Sequence, residues 1–215
     1  MATVISCNRA TPRTDPGGSA RMSGMAKVPV SSLELFIPGP HYGDGSGVVG
    51  DFVGDTKHHG GAQKAVYAFA REELDWWEGE LGRELPNGAF GENLTTTGIA
   101  WEDAVVNTRF RIGSAVVEVS VSRTPCRTFA GWMGEPGWIK RFTAHGRTGS
   151  YLRVITPGTV HAGDELVVVD VPGYGVTMGE VFAGACGDKQ AARRLVAARC
   201  LPAMYHERMV ALLGG

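Results

Sequence analysis

Four short segments of this 215-residue chain hold the side chains best suited to chemistry. The first is Asp51-x-x-x-Asp55-x-x-His58-His59-Gly60-Gly61. Two imidazoles after two carboxylates suit zinc or iron by ligand type. However, adjacent histidines on a strand cannot both face one point, and no third ligand follows at the customary spacing. The alternative is that His58 or His59 donates a hydrogen bond to a ligand or a neighbouring carboxylate, with Gly60-Gly61 letting the backbone approach closely. The second segment, Phe90 to Gly98, packs Glu92, Asn93, Thr95, Thr96 and Thr97 together. Such a set can read the polar edges of a heterocycle or bind phosphate oxygens, or it can satisfy itself as a turn.

The third segment is Ser122-Arg123-Thr124-Pro125-Cys126-Arg127. Cations beside a thiol favour the thiolate, the form that attacks electrophiles or ligates soft metals. Cys126 is therefore the sharpest chemical candidate, against the plain alternative of an inert, half-buried thiol. Cys7, Cys186 and Cys200 lack such neighbours and read as structural. The fourth segment is Gly146-Arg147-Thr148-Gly149-Ser150-Tyr151. Arg147 can grip a phosphate in fork geometry between two glycines that permit a backbone nest, or the segment is a surface turn.

All four segments read as loops, and the elements that must carry them are mostly strands. Ala115, Val117, Val119 and Val121 share one face of an alternating run, which ends directly at the Cys126 segment. Leu33–Ile37, Lys64–Phe69, Arg109–Ile112, Tyr151–Ile155 and Leu166–Val171 are similar short runs, and 31 glycines punctuate them. Short strands between glycine-rich turns predict a barrel or a sandwich. One amphipathic helix is predicted over Arg71–Leu81, with Leu74, Trp77 and Leu81 on one face, acid near its start, and Pro86 and Gly88 as terminators. After residue 172 the strand signal fades. Short helices are expected around Val181–Ala185, Ala191–Val196 and Met204–Leu213. The expected organisation is a β domain over 1–172 and a helical appendage over 173–215. Thr11–Ser19 reads as a mobile loop.

Composition narrows the function classes. Lys and Arg total 21 against 22 Asp and Glu. This balance argues against a general nucleic-acid or membrane-surface binder. Charge is uneven, with Arg9, Arg13, Arg21 and Lys27 facing only Asp15 near the amino end, and it reads as ordinary solvated surface. No run approaches the ~20 apolar residues of a membrane span. The first residues lack a signal-peptide pattern, and four scattered cysteines read as free thiols, so a cytoplasmic location is expected. No G-x-G-x-x-G follows a strand, and neither a Walker lysine nor a G-x-S-x-G elbow occurs.

Taken together, His58-His59-Gly60-Gly61-Ala62-Gln63-Lys64-Ala65-Val66-Tyr67-Ala68-Phe69, Phe90-Gly91-Glu92-Asn93-Leu94-Thr95-Thr96, Arg123-Thr124-Pro125-Cys126 and Gly158-Thr159-Val160-His161-Ala162-Gly163-Asp164 resemble the MOSC family. These domains are related to the C-terminal part of molybdenum-cofactor sulfurases, and the likeness is strongest to the stand-alone bacterial YiiM-like group. The resemblance implies a mainly β fold, a closed or partly closed MOSC-type barrel with a few helices and a small C-terminal helical subdomain. It also implies a bound molybdenum cofactor (molybdopterin), with Cys126 as the protein ligand to the metal. By the same similarity Thr124, Asn93, Tyr151, Ser23 and Gly24 fall where relatives contact the pterin or phosphate. His58, His59 and Arg147 are added from the residue reading as cavity-lining candidates.

Two activities follow from the resemblance. One is reduction of N-hydroxylated compounds, such as N-hydroxylated purine bases. The other is a non-redox role, with a persulfide or the cofactor carried on Cys126. A pyridoxal-phosphate half is not expected in a chain of this length. With no flavin or iron–sulfur signature, a separate electron-donating reductase is the expected partner. The other partner is a small-molecule substrate, and a homodimer is compatible with the tail.

Overall fold

The computed structural model describes residues 1–214. β1 (Thr3–Ala10), β4 (Lys27–Val30), β6 (Val66–Ala70), β7 (Leu94–Thr97), β8 (Arg109–Ile112), β9 (Ala115–Ser122), β10 (Ser150–Thr156) and β12 (Leu166–Asp170) form one eight-stranded sheet in the order β12-β8-β9-β10-β6-β7-β1-β4. Neighbours are antiparallel except β6 and β7, which run parallel on either side of helix α1 (Arg71–Leu81) in the sequence. Two small antiparallel pairs complete the strands: β2 (Arg13–Thr14) with β3 (Met22–Ser23), and β5 (Ser32–Leu35) with the distant β11 (Gly158–His161). The predicted loop from Phe90 to Gly98 is thus half strand, because its threonines fill β7. Thr11–Ser19 is anchored rather than loose. Asp15, 3% exposed, accepts from Gly17 N–H, Arg21 Nε and Thr128 Oγ1.

A closed barrel is not what the strands make. β4 pairs with β1 only over Cys7–Ala10. The start of β1 is left to meet the approach to β12, with Leu166 N–H donating to Ala2 O at 2.9 Å and Val4 N–H to Asp164 O at 2.9 Å. These bonds stitch distant parts of the sheet without a continuous ladder. β4 meets β1 over Cys7–Ala10 and the approach to β12 meets it only at Ala2–Val4, so the strands form a large sheet and no closed barrel. The fold is mostly sheet, as expected, with six helices beside it, and strand and helix each take 29% of the chain.

The predicted helix α1 forms with the predicted bounds. It ends earlier than Pro86, because Gly82 adopts φ 64° and its N–H caps Glu78 O. Two helices without a clear periodic signal also form: α2 (Arg127–Met133) and α3 (Trp138–His145). Each is too short to hold itself and depends on packing. Phe129, Trp138 and Phe142 are essentially inaccessible and meet Phe69, Trp77 and Phe90 in an aromatic cluster. Full burial of one such ring contributes roughly 1.5–3 kcal/mol, so several buried together are needed to offset the backbone entropy of ordering these turns.

The tail forms α4 (Met178–Ala185), α5 (Lys189–Ala198) and α6 (Ala203–Gly214). Thr177 and Glu180 make a reciprocal capping box at α4, and Asp188 caps α5. Met178, Val181, Leu195 and Met209 join Val117, Val119 and Leu152 of the sheet in the larger core. Among the described residues no helix is long and apolar enough to cross a membrane.

Candidate cofactor-binding cleft

β9 delivers its last residue, Ser122, to the rim of the sheet, and Pro125 keeps the strand from continuing. Arg123-Thr124-Pro125-Cys126 then turns into α2, whose N-cap position is Cys126. The amino end of a helix favours negative charge. Helix α2 is fixed by backbone contact with the turn around Pro16. A Cβ on Gly131 would stand 2.2 Å from Pro16 O, so only glycine allows that approach. Cys126 is half-buried and opens on a cleft between this loop, the β3 region and the His59 loop. The cleft holds about 780 Å³ of atom-free space, its solvent mouth included.

Seven residues expected at the site line this cleft: Cys126, Ser23, Gly24, His59, Asn93, Thr124 and Tyr151. Two do not. His58 lies at the outer mouth, its side chain 68% exposed and its Nδ1 3.1 Å from Asp55 Oδ2. Arg147 is on another face, bound to Glu73 at 2.8 Å and Glu102 at 3.2 Å. Its guanidinium is matched by carboxylates contributed by distant parts of the chain, so the glycine-flanked arginine is a surface ion pair and not an anion grip. The second segment also turns out largely self-satisfied. Glu92 accepts from Gly88 N–H, Phe90 N–H and Thr95 Oγ1, and burial pushes its carboxyl up.

Asn93 lines the cleft, yet its amide is already used. Its oxygen accepts from Tyr67 N–H at 3.1 Å, and its Nδ2 donates to Asp51 Oδ2 at 2.9 Å and Asn8 O at 3.3 Å. Asp51 in turn anchors a buried ion pair. Lys27 Nζ stands 2.8 and 2.7 Å from its two oxygens, with the side chains 6% and 2% exposed. Burial pushes the Asp51 carboxyl up, but Lys27, Asn93 and the Ala10 N–H outweigh it and hold it below the usual range.

The β10–β6 register sets Tyr151 opposite Tyr67, with ring centroids 5.0 Å apart. Burial raises the Tyr151 hydroxyl to about 12, so it stays protonated, and it shares a hydrogen bond with His59 Nδ1 at 3.2 Å. Burial, then Lys64 and Arg123, pull His59 down to about 3. His59 is therefore a neutral imidazole at neutral pH, with one ring nitrogen carrying a proton. Arg123 is 5% exposed and lies 4.9 Å from the Tyr67 ring and 4.0 Å from the Phe129 ring; it donates to Phe90 O. Arg127, the other arginine beside the thiol, is drawn off to Gly17 O.

Of the cationic lining, sequence reading found Arg123 and missed the rest. Arg21, Lys27, Lys64 and Arg123 line the cleft, and Arg208 of α6 reaches its mouth. Arg21 is matched by Asp15 and Asp55, and Lys27 by Asp51. Lys64, Arg123 and Arg208 have no carboxylate within ion-pair distance among the described residues. Lys64 Nζ donates to His58 O at 2.8 Å, and burial, then Arg208 and Arg123, bring its pKa down to about 8. The excess of base near the amino end, read as solvated surface, was the available signal for Arg21 and Lys27. Unmatched cations around one soft sulfur suit an anionic ligand carrying a thiophilic metal. Among the described residues no three His, Cys, Asp or Glu side chains converge as a metal cage.

Comparison with known proteins places these features in a family. The sequence matches the family model described as MOSC domain over residues 55–167. It is 34% identical over 176 residues to the protein YflK of Bacillus subtilis, covering 81% of this chain and 76% of that one.

The chain belongs to the MOSC domain family.

The MOSC match runs from Asp55 through Cys126 to β12 and so contains most of the cleft wall. A Gibberella moniliformis protein named "Reductase" is 32% identical over 138 residues, 62% of this MOSC chain and 24% of that protein. The crystal structure of YiiM from Geobacillus stearothermophilus superposes with a TM-score of 0.79 at 24% identity, over 99% of this chain and 100% of the other. At that identity the likeness is one of fold.

Proposed function

We propose that this MOSC protein holds a molybdenum cofactor in the Cys126 cleft and reduces N-hydroxylated small molecules, with electrons supplied by a separate reductase. The observation that carries the reading is the half-buried Cys126 sulfur opening on a cleft whose cations Lys64 and Arg123 lack carboxylate partners. The donor set fits such a group. Cys126 offers one soft ligand, and the remaining donors would come with a dithiolene. Lys64, Arg123 and Arg208 would face its anionic parts, while Ser23 and Thr124 offer hydroxyls along the same wall. The chemistry a bound cofactor supplies is two-electron reduction of N–OH, with two protons, to N–H and water.

The chain's own residues bind, orient and hold protons. Tyr67 and Tyr151 pack as a back wall with their rings tilted by 37°, and the Tyr151 hydroxyl meets the His59 ring. Neutral His59 carries one ring N–H at neutral pH. Asp51, held by Asn93, ties Ala10 of β1, Lys27 of β4 and Ser46 together, and Asn93 keeps no free donor. The relative named as a reductase supports an oxidoreductase reading.

The test is purification from a host that makes the cofactor, with assays for molybdenum and oxidised pterin. Both should be present and should fall to background in Cys126→Ser, which should still fold cooperatively because that sulfur makes no capping bond, though it lacks the stabilisation a bound cofactor gives the wild type. Absence of both from the wild-type protein overturns the reading. Cofactor without turnover of an N-hydroxylated base under a chemical electron donor leaves a carrier role for Cys126.

A further inference from the structure

The two edges of the eight-stranded sheet differ in how they meet solvent. β4, at one edge, carries Pro29, which has no N–H to offer a further strand. β12, at the other, holds neither proline nor lysine. Its inner side pairs with β8, with Leu166 opposite Ile112, Val167 opposite Arg111 and Val168 opposite Phe110. Leu166 N–H points away from β8, since it donates to Ala2 O at 2.9 Å. Backbone groups alternate sides along a strand, so the N–H and C=O of Val168 point outward too. No described residue pairs with β12 on that side beyond Leu166. Val168, Val169 and Val171 are each about half exposed, an apolar edge that templates another strand.

Charge marks out which strand. Arg111 of β8 and Asp170 of β12 are exposed near opposite ends of this edge. Among the described residues neither has an opposite charge within ion-pair distance. Arg109, which stands opposite Asp170 in the register, is taken by Glu118 at 2.8 Å. We propose that β12 pairs antiparallel with β12 of a second copy about a two-fold axis at Val168, joining the two sheets edge to edge. Such an isologous contact must be self-complementary, and this edge is. Val168 meets its own copy and exchanges backbone hydrogen bonds with it, while Val167 meets Val169 of the other chain. The reversal sets each Arg111 beside Asp170 of the other copy, and opposite charges across neighbouring strands stabilise the pairing. A parallel pairing would set Arg111 against its own copy. No residue of β8 or β12 lines the Cys126 cleft, so both clefts stay open in the dimer and the proposal does not depend on the cofactor.

Sedimentation velocity of the full chain tests this from about 1 µM to about 300 µM, the range of weak interfaces. The chain passes from monomer to dimer across that range. Val168→Pro removes the outward N–H, leaves the β8 ladder intact and weakens the dimer about tenfold or more. Arg111→Asp and Asp170→Arg each put like charges together at both contacts and weaken self-association about tenfold. An equimolar mixture of these two variants restores opposite charges at both contacts and dimerises as the wild type does. Both substituted side chains are exposed, so this mixture decides the matter if the proline variant fails to fold. A monomer at every concentration, wild-type self-association in the folded variants, or no recovery on mixing overturns the assignment.

Discussion

Replacing Lys27 with methionine tests the buried pair beneath the cleft. Methionine keeps much of the aliphatic length and removes the ammonium, which stands 2.8 and 2.7 Å from the Asp51 oxygens. Asp51 is then left with Ala10 N–H at 2.7 Å, Asn93 Nδ2 at 2.9 Å and Ser46 Oγ at 3.0 Å. Stripping one partner from a buried ion pair costs about 3–5 kcal/mol when the other charge is left bare. Three neutral donors remain, so about 2–3 kcal/mol is expected here. Urea unfolding near neutral pH measures it, with Asp51→Asn and the double mutant completing a cycle. The coupling should be about 1–3 kcal/mol, because asparagine leaves no orphaned charge.

The pH dependence of that loss has a definite sign. In the wild type the Asp51 carboxyl lies below its usual range, so its stabilisation is full above the ordinary carboxylate pKa. It is lost as the pH falls through the folded value. In Lys27→Met, burial meets less opposition and the carboxyl titrates higher. The deficit of the variant is therefore largest near neutrality and shrinks in acid. A loss below about 1 kcal/mol at neutral pH, or one that is unchanged in acid, would refute the reasoning.

Two further outcomes follow from the charges around the cleft. Sulfate, whose charge is constant across this range, should bind less tightly as the pH rises through about 8, where Lys64 gives up its proton. Lys64→Met should remove that step, and His59, held near 3, should add none between neutrality and alkaline pH in the same titration. Arg147→Ala should cost less than about 1 kcal/mol in urea unfolding and leave sulfate affinity unchanged, since a side chain 54% exposed is screened by water. A drop in sulfate binding would place Arg147 at the cleft after all.

Local pattern was enough for some elements and for the central sulfur. Helix α1 followed from Leu74, Trp77 and Leu81 recurring on one face, and β9 from four alternating apolar residues. Both signals survive because each element buries one face against a core. Cys126 stood out because a strand, a proline and two cations bracket it within six residues. The resemblance to MOSC domains rested on the same loops, which line the cleft or adjoin it.

Other decisions belong to long-range contact. Arg147 has the local look of an anion grip, but the fold brings Glu73 and Glu102 to it from more than forty residues away. Arg21 and Lys27 looked like solvated surface, yet the pairing of β2 with β3 and of β4 with β1 turns them inward. Arg208 reaches the mouth only because α6 packs back across the sheet. Helices α2 and α3 have little periodicity of their own and exist through one aromatic cluster. β4 and the approach to β12 each meet only part of β1, so the strands form a sheet and no ring. Residue type and spacing could say which groups are reactive. Which of them are neutralised, and which stay unmatched beside one sulfur, depends on partners that only chain folding brings within a few ångströms.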